Sequence, residues 1–276
     1  MQSAGYNQPA LLCVAPYLVA ARMYTEWNVY VFIGGYIADM KNLFQKNDRV
    51  FPHPFSLAYW KTAASELNNL KIIVLASMLI ALASVLGTLQ IYITPLIRVQ
   101  ISFLITGLGA MIYGPVIAMI GGVISDIVTY LLFASGPFFP GYTLSALLAG
   151  LVFALFLYRT KISPLRIIAP KFIINVFINT LLGSLWRVVM GSTGSKGYSI
   201  YVATSGIKNL LLLPLEVTLL TLIIGAVIPF LSKKKIIPKI EGVKLTPTFV
   251  IVSLILSAAS LAAFIYCRYN LPIFTK

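Results

Sequence analysis

Long apolar runs separated by short polar or charged stretches dominate the chain from about residue 70 onward. A transmembrane helix needs about 20 consecutive apolar residues, and six runs approach or exceed that length. They cover residues 71–93, 101–113, 115–133, 143–158, 170–190 and 208–231. A seventh apolar run, 248–266, is also long enough for an extra C-terminal transmembrane helix. The pattern therefore predicts an all-α membrane protein with a bundle of six or seven helices.

The second and third runs meet at Gly114 and Pro115. Proline suits the first turn of a helix, because the N–H that it lacks would have no helical partner there. We therefore expect one helix to end before Gly114 and the next to begin at Pro115, so that the two form a tight hairpin.

The N-terminal part of the chain fits this pattern poorly. Its apolar stretches are short and contain Pro16, Arg22, Glu26 and Asp39, and no basic stretch typical of a signal peptide precedes them. We expect residues 1–40 to be an extension outside the functional core, or else a short interfacial hairpin. The segments expected after it are a cytoplasmic N-terminal segment (41–70), a six-helix membrane domain (71–232), a basic cytoplasmic segment (233–247) and the seventh helix with its tail (248–276).

The composition supports a multi-pass membrane protein. Charged residues make up only 10% of the chain, hydrophobic residues make up 59%, and the mean hydropathy is +0.92, whereas soluble domains carry about 25% charged residues. Cys13 and Cys267 have neither the spacing of a disulfide framework nor that of a metal site. Since His53 is the only histidine, we expect no metal site, no cofactor and no histidine-based catalysis.

The basic residues indicate how the bundle is oriented. Fourteen of the 21 Lys and Arg residues lie before the first helix, between the fourth and fifth, or after the sixth. These residues are Lys41, Lys46, Arg49, Lys61, Lys71, Arg159, Lys161, Arg166, Lys171, Lys233, Lys234, Lys235, Lys239 and Lys244. Because cytoplasmic loops carry an excess of Lys and Arg, we expect this side to be cytoplasmic. The net charge of +14 then requires no nucleic-acid partner.

An uncharged aromatic loop, SGPFFPGYTLSA at residues 135–146, follows the third helix on the opposite side. Its two prolines restrict the backbone, and its aromatic side chains offer flat faces for stacking. These residues are Pro137, Phe138, Phe139, Pro140 and Tyr142. Thr143 is a candidate N-cap of the fourth helix. The loop suits the wall of a binding cavity, and an aromatic belt at the membrane interface is the alternative.

This loop and the helix after it, FASGPFFPGYTLSALLAGLVFALFLY, closely resemble a stretch in folate-specific S components, the substrate-binding membrane subunits of energy-coupling factor (ECF) transporters. The stretches RVQISFLITGLGAMIYGPVIAMIGGVISDIV, INVFINTLLGSLW and KNLLLLPLEV resemble other helices of that family. The resemblance implies a six-helix cup in a bacterial-type cell membrane that binds a vitamin, folate first. It also implies a membrane coupling subunit and two ATPase subunits as partner chains. The chain has no Walker A motif of its own, so it is not expected to be an enzyme.

Folate combines a flat pterin ring with two carboxylates, so its site requires stacking faces, hydrogen-bonding groups and cations. The candidates for substrate binding are Arg98, Phe138, Phe139, Tyr142, Asn175, Asn179, Trp186 and Lys208. Asn175 and Asn179 lie four residues apart, and hence on one helix face. Helix–helix hydrogen bonding is the alternative for these amides, and anchoring at the membrane interface is the alternative for Trp186 and the two cations.

Small residues on the first helix allow another helix to approach closely. Ser77 and Ala81 lie four residues apart on it, and in the family that the chain resembles such a face contacts the coupling subunit. Packing within the bundle is the alternative.

Two acids inside apolar runs, Asp126 and Glu216, each need a partner or a proton. Reading them as a catalytic carboxylate pair gives a remote alternative, an intramembrane enzyme. A membrane scaffold is a second remote alternative. The nearest alternative is an S component for another flat vitamin or cofactor precursor.

Overall fold

The described part of the chain is a bundle of apolar helices with one short β-hairpin. The computed structural model describes residues 54, 56–94, 97–133, 136–191, 197–233 and 247–270. The predicted extension 1–40 and the stretch 234–246 lie outside these residues. The elements are α1 (Leu57–Ser65), a 3₁₀ turn (Glu66–Asn68), α2 (Leu70–Thr88), β1 (Gln90–Thr94), β2 (Ile97–Gln100), α3 (Phe103–Leu132), α4 (Pro140–Leu157), α5 (Pro164–Ile173), a π-helical segment (Ile174–Leu182), α6 (Gly183–Val189), α7 (Tyr198–Lys233) and α8 (Pro247–Asn270).

Six helical runs are long and apolar enough to cross a membrane within the described ranges. They are Leu70–Thr88, Phe103–Leu132, Pro140–Leu157, Pro164–Val189, Tyr198–Lys233 and Val250–Cys267. In five of the six, a third or less of the apolar stretch is buried, so the outer surface of the bundle is largely apolar. Such a surface suits lipid as the solvent. The predicted all-α membrane fold is confirmed, and the extra C-terminal run is a helix of sufficient length to span a bilayer.

The run α3 doubles back on itself at Gly114, which has φ 81° and ψ −180°. A Cβ placed on Gly87 of α2 would lie 3.9 Å from Ser102 Cβ and 3.2 Å from Thr129 Oγ1. In one straight helix, Ser102 and Thr129 would be about 40 Å apart. The two ends of the run therefore lie together, and the predicted hairpin between the second and third helices is confirmed.

Gly114→Ala is expected to lower the stability of the protein. The backbone conformation of Gly114 is nearly restricted to glycine and costs other residues about 1–3 kcal/mol, and a Cβ there would lie 3.0 Å from the Tyr158 ring. Thermal unfolding in detergent measures the effect. Gly183→Ala is the matched control, because Gly183 is helical and the nearest atom to its Cβ, Ile178 O, would be 3.6 Å away. Equal unfolding temperatures of the two variants would contradict this role of Gly114.

A buried cluster of polar and aromatic residues joins α1 to the end of the bundle where this hairpin turns. The Tyr59 hydroxyl donates to Ala154 O at 3.0 Å, and the Tyr158 hydroxyl donates to Glu66 Oε1 at 3.2 Å. Arg159 Nη2 lies 2.7 Å from the same carboxylate oxygen. Burial raises the pKa of both phenols above the ordinary value of tyrosine, so both hydroxyls remain protonated donors at neutral pH.

The structure corrects several predicted boundaries. The first helix ends at Thr88, where the sequence pattern extended it to residue 93, because β1 and β2 form an antiparallel pair in which Tyr92 pairs with Arg98. Arg98 therefore lies in β2, and the second helix begins only at Phe103. The sixth helix begins at Tyr198, well before the predicted residue 208.

The fourth helix begins at Pro140, not at Thr143, because proline is favoured in the first turn of a helix. Phe139 precedes the helix, so Thr143 is not its N-cap. The uncharged loop is accordingly shorter than the sequence pattern indicated.

The C-terminal helix α8 packs along α7 through hydroxyl groups. Ser257 Oγ lies 2.9 Å from Thr218 Oγ1, which itself donates to the carbonyl of Pro214 at 2.8 Å. Ser260 donates to Leu211 O. These contacts satisfy backbone carbonyls around Pro214 in α7, as hydroxyls commonly do where proline interrupts a membrane helix.

Candidate functional site

A connected group of polar and charged side chains lies inside the bundle, between the π-helical segment and α7. Its members, called the polar network below, are Lys171, Asn175, Asn179, Thr180, Asn209 and Glu216. Lys171, Asn175 and Asn209 are each at most 7% exposed. Polar groups are costly where they face lipid, so both asparagines are expected to point into the bundle. Asn175 is buried as expected, whereas the Asn179 side chain is exposed.

Lys171 and Glu216 form an ion pair at one end of the polar network. Lys171 Nζ lies 3.3 Å from Glu216 Oε2, and the two side chains are 3% and 15% exposed. The same ammonium lies 3.8 Å from the centre of the Phe103 ring, a favourable cation–π geometry. The assignment of Lys171 to a cytoplasmic basic loop was therefore wrong. Because α5 begins at Pro164, Lys171 lies about two turns inside the helix.

The asparagine amides extend the network from this ion pair. Asn175 Nδ2 donates to Glu216 Oε2 at 2.6 Å and to Asn209 O at 3.2 Å. Asn179 Nδ2 donates to Asn175 Oδ1 at 3.0 Å. Asn175 and Asn179 are predicted to share a helix face, and the structure shows them hydrogen-bonded to each other, with Asn179 at the exposed end of the chain of hydrogen bonds.

The backbone that carries both asparagines is π-helical, which the sequence pattern did not predict. The Thr180 hydroxyl donates to Asn175 O at 2.7 Å, and Asn209 Nδ2 donates to Thr180 Oγ1 at 2.9 Å. Such segments are rare and frequently lie at functional sites. The one local signal is Pro170 at the end of α5, since proline removes a helical N–H donor.

Three aromatic side chains, called the aromatic cluster, gather where α4 begins. The Phe139 ring centre lies 5.5 Å from that of Trp186 and 6.0 Å from that of Tyr142. Trp186 Nε1 donates to Ser145 Oγ at 3.0 Å. Gly141 lies beneath the rings, and a Cβ there would lie 2.7 Å from Trp186 and would clash with Phe139. Glycine at this position therefore permits the rings to pack.

Phe138 is not a member of the aromatic cluster. It is 44% exposed, and its ring packs edge-on against Tyr130 with the centres 5.2 Å apart. Successive side chains of an extended segment point to opposite sides, so Phe138 and Phe139 have different neighbours.

Two cations lie near the polar network. Arg187 Nη1 donates to Ser205 Oγ at 3.0 Å, and its guanidinium carbon lies 5.8 Å from the Tyr201 ring centre. Lys208 is half-buried and interacts electrostatically with Glu216, Arg187 and Lys171. Among these four side chains, three are cations and one is a carboxylate. The region therefore favours an anionic ligand.

The two acids within the apolar helices have separate partners. Asp126 Oδ2 accepts a hydrogen bond from the Thr143 hydroxyl at 2.7 Å, which ties α3 to α4. Glu216 is held by Lys171 and Asn175. A catalytic carboxylate pair therefore receives no support from these contacts. In the described ranges, no group of three His, Cys, Asp or Glu side chains could hold a metal ion.

The small residues of α2 lie on two faces. Ala76, Ala83, Ser84 and Gly87 are buried, and the contact of Gly87 with Thr129 shows that this face packs on α3. Ser77 and Ala81 are exposed. Packing within the bundle accounts for the first group, and the second group remains open to a partner.

Comparison with known proteins identifies the family. Residues 71–237 match the family described as "ECF transporter, substrate-specific component". The chain belongs to this family. Two similar proteins are named folate transporter FolT. The one from Clostridium novyi is 31% identical over 123 residues, which cover 45% of this chain and 70% of the relative. The one from Leuconostoc mesenteroides is 30% identical over 147 residues, which cover 52% and 79%.

A solved structure, FolT bound with folic acid, is 32% identical to this S component. It covers 54% of this chain and 88% of its own, with a TM-score of 0.49. The family match, residues 71–237, includes the whole polar network and the whole aromatic cluster. The helices α1 and α8 lie outside it.

The candidate residues of this S component fall into separate groups. Phe139, Tyr142 and Trp186 come together in the aromatic cluster, and Asn175 and Asn179 come together in the polar network. Lys208 lies near that network, Phe138 packs elsewhere, and Arg98 lies in β2. Sequence reasoning missed Lys171, Thr180 and Asn209 as site residues. The signal for Lys171 was available: a lysine and a glutamate within two apolar helices suggest an ion pair.

Proposed function

We propose that this S component binds folate, or a reduced folate, as the substrate-binding subunit of an ECF-type uptake transporter. The observation that carries the proposal is its similarity to two proteins named folate transporters over 70% and 79% of their lengths. The bundle would lie in a cell membrane with its basic loops on the cytoplasmic side.

The chemistry of the described groups supports this substrate. A pterin ring presents hydrogen-bond donors and acceptors along one edge, which the asparagine amides of the polar network match. Its flat face suits stacking on Phe139 or Trp186. The two carboxylates of folate require cations, a role we assign to Lys208 and Arg98. Asn179 of the polar network and Trp186 of the aromatic cluster lie on the same helical run, Pro164–Val189, about 10 Å apart along its axis.

Transport requires an energy source, which we assign to separate chains. These would be a membrane coupling subunit, contacted through Ser77 and Ala81 on α2, and two cytoplasmic ATPase subunits. The S component itself would bind and release the vitamin without chemical change.

Folate titration of the purified protein is expected to quench tryptophan fluorescence saturably, since Trp186 belongs to the aromatic cluster. Riboflavin, thiamine and biotin should compete poorly. Trp186→Phe should remove most of the signal, whereas Trp60→Phe, the matched control on α1, should retain it. Saturable binding of one of those vitamins, with none for folate, would contradict the proposal.

A further inference from the structure

The charged end of the polar network fixes the direction of its hydrogen bonds. An ionised carboxylate only accepts hydrogen bonds, so Asn175 must turn Nδ2 toward Glu216 Oε2, 2.6 Å away. The Lys171 ammonium, 3.3 Å from the same oxygen, stabilises the ionised form in a region where an unpaired charge is costly. The second Nδ2 hydrogen of Asn175 is directed at Asn209 O, so its Oδ1 is left to face Asn179.

The held amide of Asn175 in turn orients Asn179. Asn179 Nδ2 donates to Asn175 Oδ1 at 3.0 Å, and the Asn179 side chain is exposed. Within the described part of the chain, its Oδ1 and its second N–H make no other hydrogen bond. Asn179 therefore presents one acceptor and one donor side by side, in an order that originates at Lys171 and Glu216.

We propose that Lys171 and Glu216 are positioning residues that determine which hydrogen-bonding edge of a ligand this S component selects. Without an acceptor at residue 216, only the longer hydrogen bond to Asn209 O, 3.2 Å against 2.6 Å, still holds Asn175 Nδ2. The Asn175 amide can then turn over more readily and exchange its donor with its acceptor, and Asn179 can follow. Held amides select a ligand edge whose donor and acceptor stand in one order. Released amides accept both orders.

Folate and its 4-amino analogue test this selection, and the inference accordingly rests on the proposed function. Folate carries a carbonyl acceptor beside a ring N–H donor. The 4-amino analogue has an amino donor beside a ring nitrogen acceptor at the same positions. The two ligands are otherwise alike in their ring system and their carboxylates, so the ratio of their dissociation constants reports the order of donor and acceptor.

Two double variants separate positioning from charge and packing. Lys171→Met/Glu216→Gln removes both charges and keeps a carbonyl acceptor for Asn175. Lys171→Met/Glu216→Met removes both charges and the acceptor, with a side chain of similar length that adapts to irregular spaces. Removing both charges together avoids leaving one of them buried and unpaired. Lys171→Met/Glu216→Leu is a second apolar version, used if the first does not unfold cooperatively in detergent.

The parent is expected to discriminate between folate and the 4-amino analogue by about tenfold or more, because a bound ligand covers Asn179 and leaves mismatched donors and acceptors unpaired. The glutamine variant should retain most of this ratio, and the methionine variant should lose it, with a ratio near one. A purely structural role would weaken both ligands equally and leave the ratio unchanged in every variant.

The outcomes separate this inference from the function on which it rests. A parent that does not bind folate overturns the proposed function and the inference with it. A parent that binds folate without discrimination, or apolar variants that keep the parent ratio, overturns the inference alone.

Discussion

The Ser77→Trp S component is expected to bind its vitamin like the parent and to fail in transport. Ser77 and Ala81 are exposed on α2, whereas the small residues that pack on α3 lie on its buried face. A tryptophan at an exposed position leaves the interior unchanged, but it prevents the close helix approach that small residues permit. Ala81→Trp, about one turn further along α2, should act in the same way.

Uptake of labelled folate by vesicles that contain the complete transporter measures transport. A titration of the purified S component measures binding. Uptake should fall by about tenfold or more while the dissociation constant stays within about twofold. Leu82→Trp is the matched control, because Leu82 is 44% exposed and lies about 100° from Ala81 around the helix. Loss of binding in Ser77→Trp, or equal loss of uptake in Leu82→Trp, would show that α2 does not dock through this face.

Phe139→Ala is expected to produce the largest loss of affinity among the loop aromatics. Phe139 contacts both Trp186 and Tyr142, so its removal takes away one stacking face and leaves the other two without their common neighbour. Loss of a stacking ring costs about 1–3 kcal/mol. This loss raises the dissociation constant by roughly 5- to 150-fold.

Phe138→Ala is the matched comparison for Phe139→Ala. Phe138 is the neighbouring phenylalanine, but it packs on Tyr130 outside the aromatic cluster. Its removal should leave the affinity for folate close to that of the parent. Equal affinities in the two variants and the parent would favour the alternative function of the loop, an aromatic belt at the membrane interface.

The apolar pattern was sufficient to predict the membrane helices and the turn at Gly114, because lipid imposes length and composition on any segment that crosses it. It failed for β1 (Gln90–Thr94), where a strand follows the helix without a break in hydropathy. Short apolar runs do not by themselves distinguish strand from helix. The β-branched and aromatic residues of QIYIT were the available signal for β1.

The site could be predicted only as far as its contacts are local. The spacing of Asn175 and Asn179 predicted that they share a helix face, because four residues make about one helical turn. Lys171 was misplaced because its partner, Glu216, lies on a helix distant in sequence. The π-helical segment was also missed, since the Thr180 hydroxyl that accompanies it is held by Asn209 of α7, a contact between helices.

The buried cluster around Glu66 determines how far the protein can be shortened. The family match begins at residue 71, but Tyr59 and Glu66 precede it and are both buried. A protein trimmed to the family boundary would leave the Arg159 guanidinium and the Tyr158 hydroxyl without their shared carboxylate. It would also open the space occupied by the Tyr59 ring, whose centre lies 5.5 Å from that of Tyr158. A shortened protein that keeps this cluster therefore has to include α1 and the 3₁₀ turn after it.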